Sequence, residues 1–140
     1  MNEILDVSSL EKAIESLDEA LKELKKDNRS FIKDSVVQRF EYTYELCYKF
    51  FKRYLKIATP SSQYIEEMSF QSLIRTANEM GLFLNGWEKW KTYRNARNIT
   101  SLTYDNEKSE TIIATAPAFY EEAVYFLAKL KARLEEIGCK

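Results

Sequence analysis

The residues best equipped for chemistry lie in one stretch, Trp87-Glu-Lys-Trp90-Lys-Thr-Tyr93-Arg94-Asn-Ala-Arg97-Asn98-Ile99-Thr100-Ser101-Leu102-Thr103-Tyr104-Asp105. Trp87, Trp90, Arg94, Arg97, Ser101 and Tyr104 follow one another at spacings of three and four, so a helix that continues this far carries them on one face. Along that face two indoles give way to two guanidiniums, a hydroxyl and a phenol. A guanidinium stacks on aromatic rings and grips phosphate through a two-pronged fork, so the face suits a cleft mouth or an interface rim. The alternative is structural: indoles in the core, guanidiniums as ordinary surface or helix-terminus charges. Arg39 is a further candidate. On a helical wheel it falls on the flank with Leu46 and Phe50, away from the charged stripe. A guanidinium there needs a partner, because an unpaired buried charge is costly. It is either a structural ion pair or a stem that reaches solvent, or else a cationic wall for a phosphate-bearing ligand or an acidic partner.

The residue types that are missing exclude more. The chain has no histidine. That removes Ser-His-Asp and Cys-His nucleophile systems, HExxH zinc sites and imidazole as a general base. Cys47 and Cys139 are too few for an all-cysteine zinc site. Cys47 falls on the apolar side of its helix, as an inert core thiol does. Glu41 and Glu45 share a helix face and could ligate a metal, yet they lie in the most polar stripe and read as solvated. Glu121-Glu122 and Glu135-Glu136 are adjacent pairs whose side chains point apart, so neither pair forms a site alone. No glycine-rich phosphate loop and no GxSxG segment is present.

The elements that must position these residues are helical. With 140 residues, 45% hydrophobic and 31% charged, the chain has room for one domain, 1–140. Only 3 Gly and 2 Pro are available for tight turns, which argues against an all-β fold. Apolar periodicity predicts helices over about residues 9–26, 33–57, 69–80, 85–99 and 109–137. The expected fold is therefore all-α, an up-and-down bundle of four main helices with one additional short helix. Capping-box spacing at Ser8 and Glu11 marks the first start. The second helix is apolar around most of its circumference, so it is central in the bundle or lines an oligomer interface. Its polar stripe includes Glu45 and Lys49 in the favoured order for an ion pair. Ser69 caps the short helix and Gly81 ends it. Residues 61–68 read as a polar loop. Pro117 is expected to kink the last helix or begin a new one. The core stripe of that helix reads as Tyr120, Val124, Leu127, Leu130, Leu134 and Ile137.

Net charge is -1, with a pI of about 5.7. A non-specific nucleic-acid binder is usually strongly basic, so RNA is disfavoured as a partner. The acidic start, MNEILDVSSLEK, has no long apolar segment of the secretory kind, and no run approaches a membrane span. The expected setting is cytoplasmic, with reduced thiols and no membrane partner.

Gln38-Arg39-Phe40-Glu41-Tyr42-Thr43-Tyr44-Glu45-Leu46 and Arg97-Asn98-Ile99-Thr100-Ser101-Leu102-Thr103-Tyr104-Asp105 resemble the two signature segments of the bacterial and archaeal nucleotidyltransferase substrate-binding proteins, which belong to the HEPN superfamily of helical bundles. The resemblance covers nearly the whole chain, including the Gly81 region and the long final helix. Each segment is moderately specific alone, and the two in this order are more so. The resemblance implies a four-helix up-and-down bundle that forms a homodimer. It implies a separate small minimal nucleotidyltransferase as partner, and that partner carries the divalent metal and the nucleotide. No cofactor is implied for this chain.

In related pairs the helical protein is a ribonuclease toxin and the nucleotidyltransferase its antitoxin. The toxin motif is Arg, four residues, His, one residue, Tyr. Arg97 and Tyr104 match it, but the His position is Leu102. A leucine neither accepts nor donates a proton, and no other histidine exists to substitute, so intrinsic ribonuclease activity is disfavoured. In the toxin pairs the partner adenylylates the motif tyrosine, which makes Tyr104 a candidate acceptor by carry-over; a structural phenol is the alternative.

The reading adopted is a non-catalytic partner subunit. Arg39, Arg94, Arg97, Ser101 and Tyr104 would bind the partner or a nucleotide or other phosphate-bearing substrate. The alternatives are a ribonuclease toxin with an altered site and a plain helical scaffold.

Overall fold

The computed structural model describes residues 5–100 and 106–138. Among them are six helices and no strand: α1 Ser8–Lys26, α2 Ser30–Ala58, α3 Ser62–Glu66, α4 Phe70–Glu79, α5 Trp87–Thr100 and α6 Asn106–Gly138. The bundle is built from α1, α2, α5 and α6, with α3 and α4 as short crossings between α2 and α5. No helix among the described residues is long and apolar enough to cross a membrane.

Helix α1 buries Leu10, Ala13, Ile14, Leu17 and Ala20, the three-and-four stripe its sequence carries. Its start differs from the expected capping box. Ser8 is already helical, and its backbone N–H donates to Asp6 Oδ1 at 3.0 Å. Helix α2 begins at Ser30, earlier than its apolar periodicity suggests, and packs against each of the other five helices or their flanks. It is the central helix, which accounts for its wide apolar surface. Pro60 lacks an N–H and disfavours helical backbone at Thr59, so α2 ends at Ala58.

The polar stretch after α2 is not only a loop. Ser61 accepts a hydrogen bond from the Tyr64 N–H, Ile65 is fully buried, and the turn closes as α3. Glu66 then ties α3 to α2 through Lys52, at 3.1 Å, and Lys56. Ser69 caps α4 as expected, accepting from the Ser72 N–H at 3.2 Å. Gly81 closes α4 at a φ of 80°, with Leu82 N–H bonded to the Ala77 carbonyl at 3.1 Å. The Arg133 guanidinium of α6 donates to the Met80 carbonyl in the same turn.

The last helix corrects the expected core stripe. Helix α6 is one helix through Pro117, so no new helix begins there. Its core stripe is Ile112, Ala116, Phe119, Ala123, Phe126, Leu130 and Leu134, whereas Val124 is 40% exposed and Tyr120 and Leu127 are half-buried. Phe119 and Phe126 fill the space between helices, and the alanines let α6 approach closely; that rotates the buried face away from Tyr120 and Val124.

Aromatic rings hold the centre. Trp90 of α5 is fully buried, with Phe83 at 4.5 Å between ring centroids, Tyr93 at 5.2 Å and Phe51 at 5.7 Å. Tyr44 and Phe119 complete its surroundings, mostly in the tilted and edge-on arrangements that aromatic quadrupoles favour.

Candidate functional site

Trp90, Tyr93 and Ala96 anchor α5 in the core. That register turns Arg94 and Arg97 outward, towards α2 and α4. There they line a surface pocket of about 240 Å³ with Asn98, Tyr44, Glu45, Tyr48 and Phe70. The Arg94 guanidinium lies 4.6 Å over the Phe70 ring, and that ring meets Tyr48 at 5.8 Å and Trp87 at 5.9 Å. Arg94 is thus held by stacking while it remains exposed. Arg97 donates through Nε to the Glu45 carboxylate. Glu45 turns to Arg97 across the bundle rather than to Lys49 on its own helix. Tyr44 forms the floor. Burial pushes its phenol well above the ordinary value, against the opposing pull of the nearby Arg94 charge, so it stays protonated.

The face expected from Trp87 to Tyr104 therefore divides. Trp90 is core, Trp87 is half-buried against Phe70, and Arg94 and Arg97 share the pocket. Ser101, Leu102 and Tyr104 lie outside the described residues, as does Cys139. Arg39 does not join the other arginines. Its Nη1 donates to the Ser16 carbonyl at 2.7 Å and stands 3.6 Å from Glu19, in the groove between α1 and α2. Arg39 and Glu45 are six residues apart, which places them about 120° apart around α2, so one faces α1 and the other α5.

One buried functional group escaped the sequence reading. Glu122 of α6 is fully buried and forms no ion pair with a described residue. It accepts the Leu84 N–H at 2.6 Å, the Asn85 N–H at 3.2 Å, Asn85 Nδ2 at 3.1 Å and the Tyr93 hydroxyl at 3.2 Å. Burial raises its carboxyl above the ordinary 4.5, although the four donors pull the other way. The Tyr93 phenol is pushed up by burial and by the Glu122 charge. Asn85, two residues before α5, spends its amide on Glu122. The carboxylate thereby pins the turn that starts the arginine-bearing helix. A signal existed: Glu122 sits three after Phe119 and four before Phe126, inside the true core stripe. The Cys47 thiol is buried and pushed far up, first by desolvation and then by Glu122, as an inert core thiol should be. Among the described residues no group of three or more Cys, Asp or Glu could hold a metal ion.

A rigid bundle that presents a cationic, aromatic-floored pocket is the build of an all-α binding domain. Its sequence matches the family described as "Nucleotidyltransferase substrate binding protein like" over residues 5–132, and the chain belongs to that family. Among its relatives is a Haemophilus influenzae (strain ATCC 51907 / DSM 11121 / KW20 / Rd) protein described as "Probable ribonuclease HepT". The two are 32% identical over 142 residues, covering 95% of this chain and 97% of the relative. A solved structure from Haemophilus influenzae, described as the substrate binding domain of a nucleotidyltransferase, superposes with a TM-score of 0.83 at 30% identity. That alignment covers 90% of this chain and 99% of the other.

Proposed function

We propose that this chain is the non-catalytic substrate-binding subunit of a two-component minimal nucleotidyltransferase. It works in the cytoplasm as a helical homodimer that docks the catalytic subunit. Divalent metal and nucleotide sit on that partner. Arg94 and Arg97 position a nucleotide or other phosphate-bearing substrate. The observation that carries this reading is the pocket itself, where Arg94, stacked on Phe70, and Arg97, bonded to Glu45, line one surface cavity with Asn98 and Tyr44. Arg39, fixed against α1, contributes to that groove rather than to the pocket. Ser101 and Tyr104 follow Arg97 in the chain and extend the proposed site.

The test is to tag the chain in its native host, capture it at moderate salt and identify what co-purifies by mass spectrometry. A stoichiometric small nucleotidyltransferase is expected. Arg97→Glu, which sets a carboxylate beside Glu45, should weaken ligand or partner binding and leave the fold intact. Unchanged binding with unchanged stability would remove Arg97 from the site.

A second reading has one observation in its favour, the 32% identity to a protein described as a ribonuclease. It predicts RNA cleavage that disappears in Arg97→Ala. The sequence opposes it, since no imidazole exists to move a proton. A nucleotidyl mass gain on Tyr104 in the captured chain would favour a toxin-derived pair.

A further inference from the structure

Helix α2 buries its inward faces, yet one outward face stays uncovered. Tyr42, Leu46, Lys49, Arg53 and Lys56 succeed one another at spacings of four and three, and they line an open furrow of about 400 Å³. That spacing is the seam a second helix packs along. Tyr42 is 55% exposed and Leu46 is half-buried, so the first turns offer apolar surface. Lys49 and Arg53 are exposed, and neither forms an ion pair with a described residue. Lys52 and Lys56 are already held by Glu66. By contrast, the larger groove between α1 and α2, about 560 Å³, has its cations matched: Lys22 with Asp18, Arg29 with Asp27 and Arg39 with Glu19.

We propose that the 42–56 face of α2 docks an acidic helix of another protein, with its apolar side against Tyr42 and Leu46 and its carboxylates against Lys49 and Arg53. Lys49 and Arg53 are one turn apart, so carboxylates three or four residues apart on the incoming helix reach both. The mixture of apolar, tyrosine and arginine surface is that of a protein interface. A single-stranded nucleic acid fits less well. Tyr48 has one side against Phe51 and Phe70, and Lys52 stands over its ring, so it offers no free stacking platform. A second copy paired about a two-fold axis between Lys49 and Arg53 would set the one cation against the other. The inference does not depend on which protein supplies the helix, so it stands apart from the nucleotidyltransferase reading.

The test installs p-benzoylphenylalanine in place of Tyr42 in the full chain, cross-links in the native host and maps the adduct by mass spectrometry. Lys12, exposed on α1, serves as the control position. The expected adduct is to one other protein, at a segment with carboxylates three or four residues apart. The paired change Lys49→Glu and Arg53→Glu should reduce that adduct roughly tenfold while thermal unfolding is unchanged. A nuclease-sensitive adduct, an adduct to a second copy or to a segment without acidic residues, equal labelling from the control position, or no adduct would each overturn the proposal. An acidic segment on a protein that is not a nucleotidyltransferase would uphold it and count against the function proposed above.

Discussion

Glu122 carries two opposing effects at one atom group. Four donors converge on it, and the surrounding core disfavours its charge. Burial prevails, so the folded chain binds a proton here more tightly than the unfolded chain does. Stability contributed through Glu122 is then fullest below the ordinary value of 4.5 and falls as pH rises through the raised value. Glu122→Gln removes this titration while the other carboxylates cancel in the comparison. The stability advantage of the native chain over Glu122→Gln should therefore shrink as pH rises from the ordinary carboxylate value of 4.5 through the raised one, as measured by chemical denaturation. An advantage that grows with pH would mean that the hydrogen bonds outweigh desolvation. Glu122→Ala, which leaves the donors without an acceptor, should cost about 3 kcal/mol or more. The arginines were legible in the sequence because helical spacing reports which residues share a face. Glu122 was not, because two adjacent carboxylates carry no sign of which one faces the core until Phe119 and Phe126, three before and four after, fix the buried side of α6.

At the scale of elements, local signals worked where they were strong and failed where tertiary packing chose between neighbours. The Ser69 cap and the Gly81 stop both appear as read. Helix α3 was missed because its five residues carry one buried side chain, Ile65, and no periodicity to detect. The phase of α6 was misread because Tyr120, Val124 and Leu127 also repeat at helical spacing; only packing against Trp90 and Phe51 selects Phe119 and Phe126. Gly81 shows how tightly one turn can be specified. Its φ of 80° is unfavourable for any residue with a side chain, and an added Cβ would stand 3.2 Å from Arg133 Nη2. Arg133 in turn holds the Met80 carbonyl. Gly81→Ala should lower stability by about 1 kcal/mol or more. Thermal unfolding would show it, and an unchanged midpoint would mean that the turn relaxes at no cost.

At the scale of the whole molecule, the pocket and the core meet at Tyr44, which forms the pocket floor and touches Trp90 at 6.2 Å between centroids. Trp90 is the ring that joins α2, α5 and α6, through Phe51, Tyr93 and Phe119. Its Nε1 has no hydrogen-bond partner among the described residues, so shape and dispersion hold it there. That makes a clean comparison possible. Trp90→Phe removes no hydrogen bond to a described residue and keeps an aromatic face, so it loses only part of the packing. Trp90→Ala empties the centre and should cost about 3–5 kcal/mol. A domain of this size has only about 5–15 kcal/mol in total. Trp90→Ala should therefore unfold at far lower denaturant than the native chain, with Trp90→Phe between them. Trp87 remains in both variants to report the transition by fluorescence, because it sits half-buried against Phe70 at the edge of the pocket. If Trp90→Phe were as damaging as Trp90→Ala, the indole N–H would have to be making an interaction that the geometry does not show, and the core would be held by more than packing.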